Sequence, residues 1–471
     1  MSVSWTTLQD SPDNIPPVRT STVRYGLNKD SLIDKVTSPT TSMRTLTEDL
    51  STYDYCGNVW ETREMNSVTL TDLPSDTDVY YTVEPVGAPG SDDVSPVYMF
   101  HTMPEVPPSE IHFLATADMG DQDTHDWASI NEMVRESEQC NNPNSTTIPI
   151  TLGLMIGDIS YNLDLPPSGD NFMADMAPMT QNYPWQYGPG NHEADCNYTY
   201  ANYRGRFAAQ NLTAAKHGEN SGSSRWYSFD HGPMHAIIID TDAWGFDEVA
   251  YILEDQYNWL VQDLEAVDRD VTPFIVLLGH RPMYCSSVTG QQGSHLGYPK
   301  QMDGWEGKIS EPLNYGEGFR NLGLKPPDFE QRRTLQHDDN DDDLACGVSD
   351  LIRNGMISEV DGSRKYGIEP LMEKYEIDVY LTGHEHNYER TYPVLNGEFT
   401  KSYDSPKKPV HVVIGSGGAY GTDEFGSAGP WDAFRSTEWS YTDIVMNMTH
   451  FHLTQKLATN STIIDEFVLR K

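Results

Sequence analysis

The sequence predicts two parts: an all-β domain first, then a larger α/β domain built in layers. Three observations carry that expectation. Residues 2–102 alternate polar and apolar positions between clusters of Pro, Gly, Asp and Ser, the pattern of short half-buried strands. Beyond residue 110, short apolar runs ending in Gly, Asp, Asn or His recur with helix-like segments between them. Finally, 471 residues with 37% hydrophobic and 11% aromatic content can bury more than one large core.

Taken in order, SVSWTT, STVRYG, NSVTLTDL, DVYYTVEPV and VYMFHT read as strands of a small β-sandwich. The Pro-rich stretch MPEVPPSE, residues 103–110, has no periodicity and suits a semi-rigid linker. The first domain is therefore placed at 1–105 and the second at 110–471. In the second, IHFLATADMG, TLGLMIGDISY, PWQYGPGNHE, MHAIIIDTD, TPFIVLLGHRP, DVYLTGHEH and PVHVVIGSGG are apolar runs, as expected of strands covered on both faces. Within ILEDQYNWLVQDLEAV, Leu253, Tyr257, Leu260 and Leu264 fall on one face of a helix. From about Ser286 to Lys365 the periodicity is lost and Gly, Pro and charge accumulate, including HDDNDDD at 337–343; this reads as a solvated insertion at about 286–365.

Charge narrows the function. Lys plus Arg number 31 against 71 Asp plus Glu, a formal charge of −40. Such a chain repels polyanions, so neither nucleic acid nor an anionic membrane surface is expected as a partner. An anionic substrate would need a local cation, most simply a bound metal. No run approaches the ~18 apolar residues of a spanning helix. Sequons at Asn144, Asn197, Asn211, Asn447 and Asn460, with five cysteines, point to an exported glycoprotein, although the first twenty residues lack the basic and apolar regions of a signal peptide. Cys285 with Cys346 and Cys140 with Cys196 are conceivable disulfides, which five cysteines do not determine.

The residues that terminate the apolar runs carry the chemistry: Asp118, Asp158 with Tyr161, Asn191 with His192, His280, and His384 with His386. Open α/β sheets bind ligands along the rim where strands end. Carboxylate, phenolate, amide and imidazole donors suit Fe, Mn or Zn, whereas a structural zinc site favours thiolates. Two cations ~3.5–4 Å apart need an anionic bridge, and Asp158 in GDISY is the central candidate. In GHEH the histidines are two residues apart, so an extended backbone points both to one side and one can serve each metal.

The ordered series DMG, GDISY, GNHE, GHRP and GHEH resembles the five motifs of the purple acid phosphatases, within the metallophosphoesterase superfamily. The resemblance implies a four-layer αββα metallophosphoesterase sandwich, closed by the strands of SYTDIVMNMTHFHLTQ and IIDEFVLRK, behind a fibronectin type III-like domain. It implies that Asp118, Asp158, Tyr161 and His386 hold a ferric ion, and that Asp158 bridges to a divalent Fe, Zn or Mn held by Asn191, His280 and His384. Most metallophosphoesterases have D-x-H where this chain has DMG; Gly120 cannot ligate, and Tyr161 fills the gap with a phenolate that favours Fe(III) and colour. MSVSWTT is similar to an internal strand of the family's sandwich, so a first strand and signal peptide are expected upstream.

The function implied is release of orthophosphate from small-molecule phosphomonoesters at acidic pH, with metal-bound hydroxide as nucleophile. His192 is expected to bind phosphoryl oxygens and protonate the leaving alkoxide. In related plant enzymes histidines after the GHRP-like strand position phosphate, and His295 is the candidate here. A phosphodiesterase or nucleotide pyrophosphatase on the same metals, and a catalytically silent binding protein, are the alternatives. The family and the sequons together imply a secreted, vacuolar or lysosomal location, and a homodimer is left open.

Overall fold

The computed structural model describes residues 1–8, 20–39, 41–46, 60–84, 94–120, 128–142, 144–161, 163, 168–194, 198–212, 221–288, 317–325, 349–419 and 421–471. HDDNDDD, His295 and Cys346 lie outside the described residues.

Seven strands open the chain: β1 (Ser2–Leu8), β2 (Thr20–Gly26), β3 (Asp34–Pro39), β4 (Thr41–Leu46), β5 (Trp60–Thr69), β6 (Asp78–Glu84) and β7 (Tyr98–His101). They form a three-stranded sheet, β1-β5-β4, and a four-stranded one, β3-β2-β6-β7. Alternation in β6 turns Val79 and Tyr81 inward, onto Val23, Val68, Leu70 and Phe100. This small core leans on the second domain. The Tyr81 hydroxyl donates to the Gln181 carbonyl at 3.0 Å, and Arg206, paired with Asp170 at 2.9 Å, reaches Thr6.

The second domain begins with β8 (Glu110–Thr116), β9 (Ile150–Ile156) and β10 (Trp185–Gly188), which run parallel, followed by β11 (Tyr227–His231), β12 (Met234–Ile239) and β13 (Phe274–Gly279). One sheet has the order β10-β9-β8 and then the closing strands Ser440–Asn447, His450–Leu457 and Ile463–Arg470. The other runs β11-β12-β13 and then Val379–Thr382, Val410–Ile414, Tyr388–Thr391 and Asp432–Ser436.

Period-two alternation makes four layers from these two sheets. Phe113, Ala115, Leu154, Ile238, Val276, Leu278 and Leu381 fill the seam between them. The intervening residues face outward to helices. Leu114 and Met155 meet Ile130, Met133, Phe172 and Met176, while Ile237, Ile275 and Leu277 meet Leu253, Leu260 and Leu264. Strands covered on both faces need apolar residues at every position, which is why the sequence shows runs here and alternation in the first domain.

Two expectations are corrected. The described parts of the stretch from 286 to 365 are not a solvated excursion: Phe319, Leu324, Leu351, Ile352 and Met356 are buried in the helix-side core, and Leu324–Lys325, Met356–Ser358 and Arg364–Lys365 form a three-stranded sheet. Cys140 is a free, buried thiol, which removes a bridge to Cys196. Cys285 is disulfide-bonded, with its partner outside the described residues.

One buried cation in this frame yields a stability prediction. His235 lies between Asp230 at 2.7 Å and Asp263 at 2.9 Å. Burial lowers its imidazole, but the bonds to both carboxylates outweigh that and push it up to about 9. The folded chain thus holds this proton more tightly than the unfolded one, where histidine titrates near 6.5. The resulting stabilisation, on the order of 3 kcal/mol, is complete below that value and lost as pH rises through about 9. His235→Gln should flatten the fall of the unfolding midpoint across this window relative to the parent; parallel curves would exclude the role.

Candidate metal centre

The two sheets bring their carboxyl-terminal strand ends to one rim. Asp118 follows β8, Asp158 follows β9, and Asn191 opens a 3-10 turn, Asn191–Glu193, after β10. His280 follows β13, and His384 and His386 follow the strand Val379–Thr382. Four of these loop residues take left-handed backbone: Asp118 at φ +54°, Asp158 at +48°, Tyr161 at +40° and His384 at +72°. For side chains of this size that conformation costs energy and persists only where surrounding contacts impose it. Here the contacts are close. A Cβ on Gly157 would lie 2.5 Å from His280 Nδ1, and one on Gly190 would lie 2.3 Å from Asp158 Oδ1.

The side chains gather in two adjoining groups. In the first, the Tyr161 hydroxyl donates to Asp118 Oδ1 at 3.1 Å and bonds His386 Nε2, which is 3.7 Å from Asp118 Oδ1. In the second, Asp158, His280 and His384 each offer a ligand atom, all within 4.8 Å of one another. Asp118 Oδ2 accepts the His384 N–H at 2.8 Å and joins the groups.

The donor set fits a cation. Asn191 Oδ1 and His384 Nδ1 are buried atoms without hydrogen-bond partners among the described residues, and His280 Nε2 meets the Asp158 carboxylate. A buried polar atom left unpaired costs about 1–3 kcal/mol, so two of them on a rim that also holds a buried carboxylate mark a place where a positive ion would satisfy both. His280 donates Nδ1–H to the Ile156 carbonyl at 3.0 Å, which turns Nε2 toward Asp158 Oδ2, 3.2 Å away.

Electrostatics separates the two carboxylates. Burial, helped by the Asp158 charge, pushes Asp118 up to about 7, while His280 and His386 oppose it. Burial also resists ionisation of Asp158, but His280 and His192 outweigh it and hold that carboxyl below the ordinary range. His280 is in turn pushed up to about 10 against its burial, chiefly by Asp158 and Asp118. Burial and the neighbouring Arg281 keep His384 well below the usual imidazole range. Asp158 is therefore the committed anion of the rim, with His280 as its counter-charge.

Residues 111–388, more than half of the chain, match the Calcineurin-like phosphoesterase family. Residues 1–102 match the purple acid phosphatase N-terminal domain, and 408–466 match the iron/zinc purple acid phosphatase-like protein C family. The chain belongs to the purple acid phosphatases. Acid phosphatase type 7 of Mus musculus is 30% identical over 315 residues, covering 64% of this chain and 56% of that protein. A probable inactive purple acid phosphatase 1 of Arabidopsis thaliana is 24% identical over 328 residues, 67% of this chain and 42% of that one. The chain thus spans about half the length of the curated relatives it matches. A solved purple acid phosphatase from yellow lupin seeds shares the fold, with a TM-score of 0.61 at 18% identity over 100% of this chain and 72% of that one.

The family implies a dinuclear metal centre, and the rim of this purple acid phosphatase brings Asp118, Tyr161 and His386 into one group and Asp158, His280 and His384 into another, with Asn191 opening the turn after β10. His192 stands beside them, its side chain 26% exposed and its ring 4.3 Å from that of Tyr161. Other residues of the rim went unread in the sequence. Arg281 lies buried with Nε donating to Asp242 Oδ1 at 2.8 Å and Nη1 at 2.9 Å from His384 Nε2, and Asp242 accepts the Tyr200 hydroxyl at 2.7 Å. Asp423 accepts the His386 N–H at 2.7 Å. Arg281 was visible in GHRP and Asp242 in DTD, where a charge at the end of an apolar run was the available signal.

Proposed function

We propose that the chain hydrolyses small-molecule phosphomonoesters in acidic medium at a binuclear Fe(III)–M(II) centre. Asp118, Asp158, Tyr161 and His386 would hold the ferric ion, with Asp158 shared by a divalent Fe, Zn or Mn on Asn191, His280 and His384. The observation that carries this reading is the cluster of Asp158, His280 and His384 with ligand atoms within 4.8 Å of one another, on a rim where Asn191 Oδ1 and His384 Nδ1 are buried without hydrogen-bond partners among the described residues. A cation pair so held supplies Lewis acidity for phosphate and for water, in a chain whose −40 charge otherwise repels an anion.

The chain's own residues do the rest. Asp158 supplies two carboxylate oxygens to the centre, and its Oδ1 also anchors the His192 backbone N–H at 2.9 Å. That bond fixes the loop from which the His192 ring projects to the solvent side. There it can hold a phosphoryl oxygen and hand its proton to the departing alkoxide, a task for an imidazolium and hence for acidic medium. Tyr161 as phenolate favours a ferric partner and should give a visible charge-transfer band. Tyr161→Phe is expected to lose that band while the far-ultraviolet circular dichroism stays unchanged; an unaltered band would remove Tyr161 from the centre.

The deciding experiment is metal analysis with an absorption spectrum on protein releasing orthophosphate from a monoester. Iron near one equivalent with a visible band supports the reading, and an active protein free of iron overturns it. Faster turnover of diesters or dinucleotides than of monoesters would favour the phosphodiesterase alternative. A silent binding protein is disfavoured because every ligand-type position keeps a competent side chain. Sequons on exposed Asn144 and Asn460 support export, and among the described residues no helix is long and apolar enough to cross a membrane.

A further inference from the structure

We infer that Glu193 is a positioning residue for the cation pair, its carboxylate tying the Asp158 loop to the Asn191 loop where the sheet no longer does so. The inference rests on the cation-binding reading above. Parallel pairing of β9 with β10 ends at Ile156 and Gly188, before either ligand is reached. Between the β8 and β9 loops the backbone continues the connection, as the Asp118 N–H donates to the Gly157 carbonyl at 3.2 Å and the Met119 N–H to the Asp158 carbonyl at 3.3 Å. Across the β9 and β10 loops, carboxylates take over that task. Glu193 Oε2 accepts the Asp158 N–H at 2.8 Å and the Gly190 N–H at 2.8 Å, and Oε1 accepts the Ile159 N–H at 2.9 Å. In the opposite direction, Asp158 Oδ1 accepts the His192 N–H.

Each loop thus lends a carboxylate to the backbone of the other. The two links differ in what happens when a cation is held. Asp158 would lend its oxygens to the ion, whereas Glu193 is 1% exposed and among the described residues its partners are backbone donors. Glu193 is the link that can stay fixed while Asp158 serves as ligand. Its bond to Gly190 also closes the 3-10 turn on which Asn191 and His192 sit, in the manner of the reach-back half of a capping box.

A carboxylate is required because all its partners are donors. Gln has the same shape, yet its amide nitrogen would face at least one backbone N–H at about hydrogen-bond distance, donor against donor. Glu193→Gln should therefore bind Zn²⁺ at least tenfold more weakly than the parent in equilibrium dialysis of the full chain, with Glu193→Asp in between. Asp378→Asn is the control for stability alone. Asp378 accepts the Ile275 N–H at 2.8 Å in the other sheet, where β13 and Val379–Thr382 begin, at the end away from the rim, and should keep parental Zn²⁺ binding. Equal loss in both variants, or parental binding by folded Glu193→Gln, overturns the inference. Should the Gln variant not fold, hydrogen exchange on the parent decides: the Asp158, Ile159 and Gly190 amides must be slow with chelator present as well as with Zn²⁺, and rapid exchange in chelator sinks it. Failure of the parent to bind any cation would instead strike the functional reading.

Discussion

Asp158→Asn is expected to abolish binding of both cations and to lower orthophosphate release by at least ~10³-fold, which corresponds to several kcal/mol of transition-state stabilisation. The substitution exchanges one carboxylate oxygen for an amide NH₂ and changes little volume, so its effect is electrical. Asp158 is 1% exposed and is held ionised against its burial by His280 and His192. An amide there leaves the two groups of ligand-type side chains joined by Asp118, which burial pushes up to about 7. It also places an N–H₂ group opposite either His280 or an incoming ion, both of which need an acceptor. The amide oxygen can still take the His192 N–H, so the loop should survive. Far-ultraviolet circular dichroism should match the parent while metal analysis falls below a tenth of stoichiometric. Full activity with both metals retained would falsify the bridging role.

The layers were legible because burial writes itself into composition. A strand with helices on one face and a second sheet on the other must be apolar throughout, as in FIVLLG of β13, and that run is unmistakable. The helix over Leu253–Ala266 followed from the same logic, with Leu253, Leu260 and Leu264 buried on the predicted face. The rim was legible for a different reason. Metal-ligand side chains at strand ends are polar residues where the core pattern breaks, so Asp118, Asp158, His280 and His384 announce themselves. Glu193 and Asp423 do not, because their work is to accept N–H groups from loops far away in sequence. Which N–H each one meets depends on how neighbouring strands are registered, and no local spacing encodes that. Likewise, hydrophobic residues scattered through the stretch from 286 to 365 lack periodicity, yet Phe319 and Leu351 pack on the core because their short elements are anchored from outside. The Asp247 carboxylate, for example, accepts the Gly318 and Phe319 N–H groups at 3.0 and 2.9 Å.

His192→Ala should divide binding from turnover. The link between His192 and Asp158 runs through the backbone N–H, which alanine keeps, so both cations should remain near stoichiometric. The imidazole is lost from a position 3.9 Å from Asp158 Oδ2, with its ring tilted against that of Tyr161 at 4.3 Å, on the solvent side of the rim. Loss of a general acid typically costs about 10²–10⁴-fold in rate, and the size should depend on the leaving group. An alkoxide departs poorly without a proton, so alkyl phosphates should show the full loss. A nitrophenolate departs as a stable anion and should lose no more than about tenfold, by the same Brønsted reasoning. The alkaline limb of the pH profile should weaken in parallel, since no imidazolium is left to lose its proton as pH rises. Equal losses on both esters would make His192 a phosphate-binding group only. A large fall in metal content would assign it to support of Asp158, whose low pKa owes its second-largest favourable contribution to this histidine.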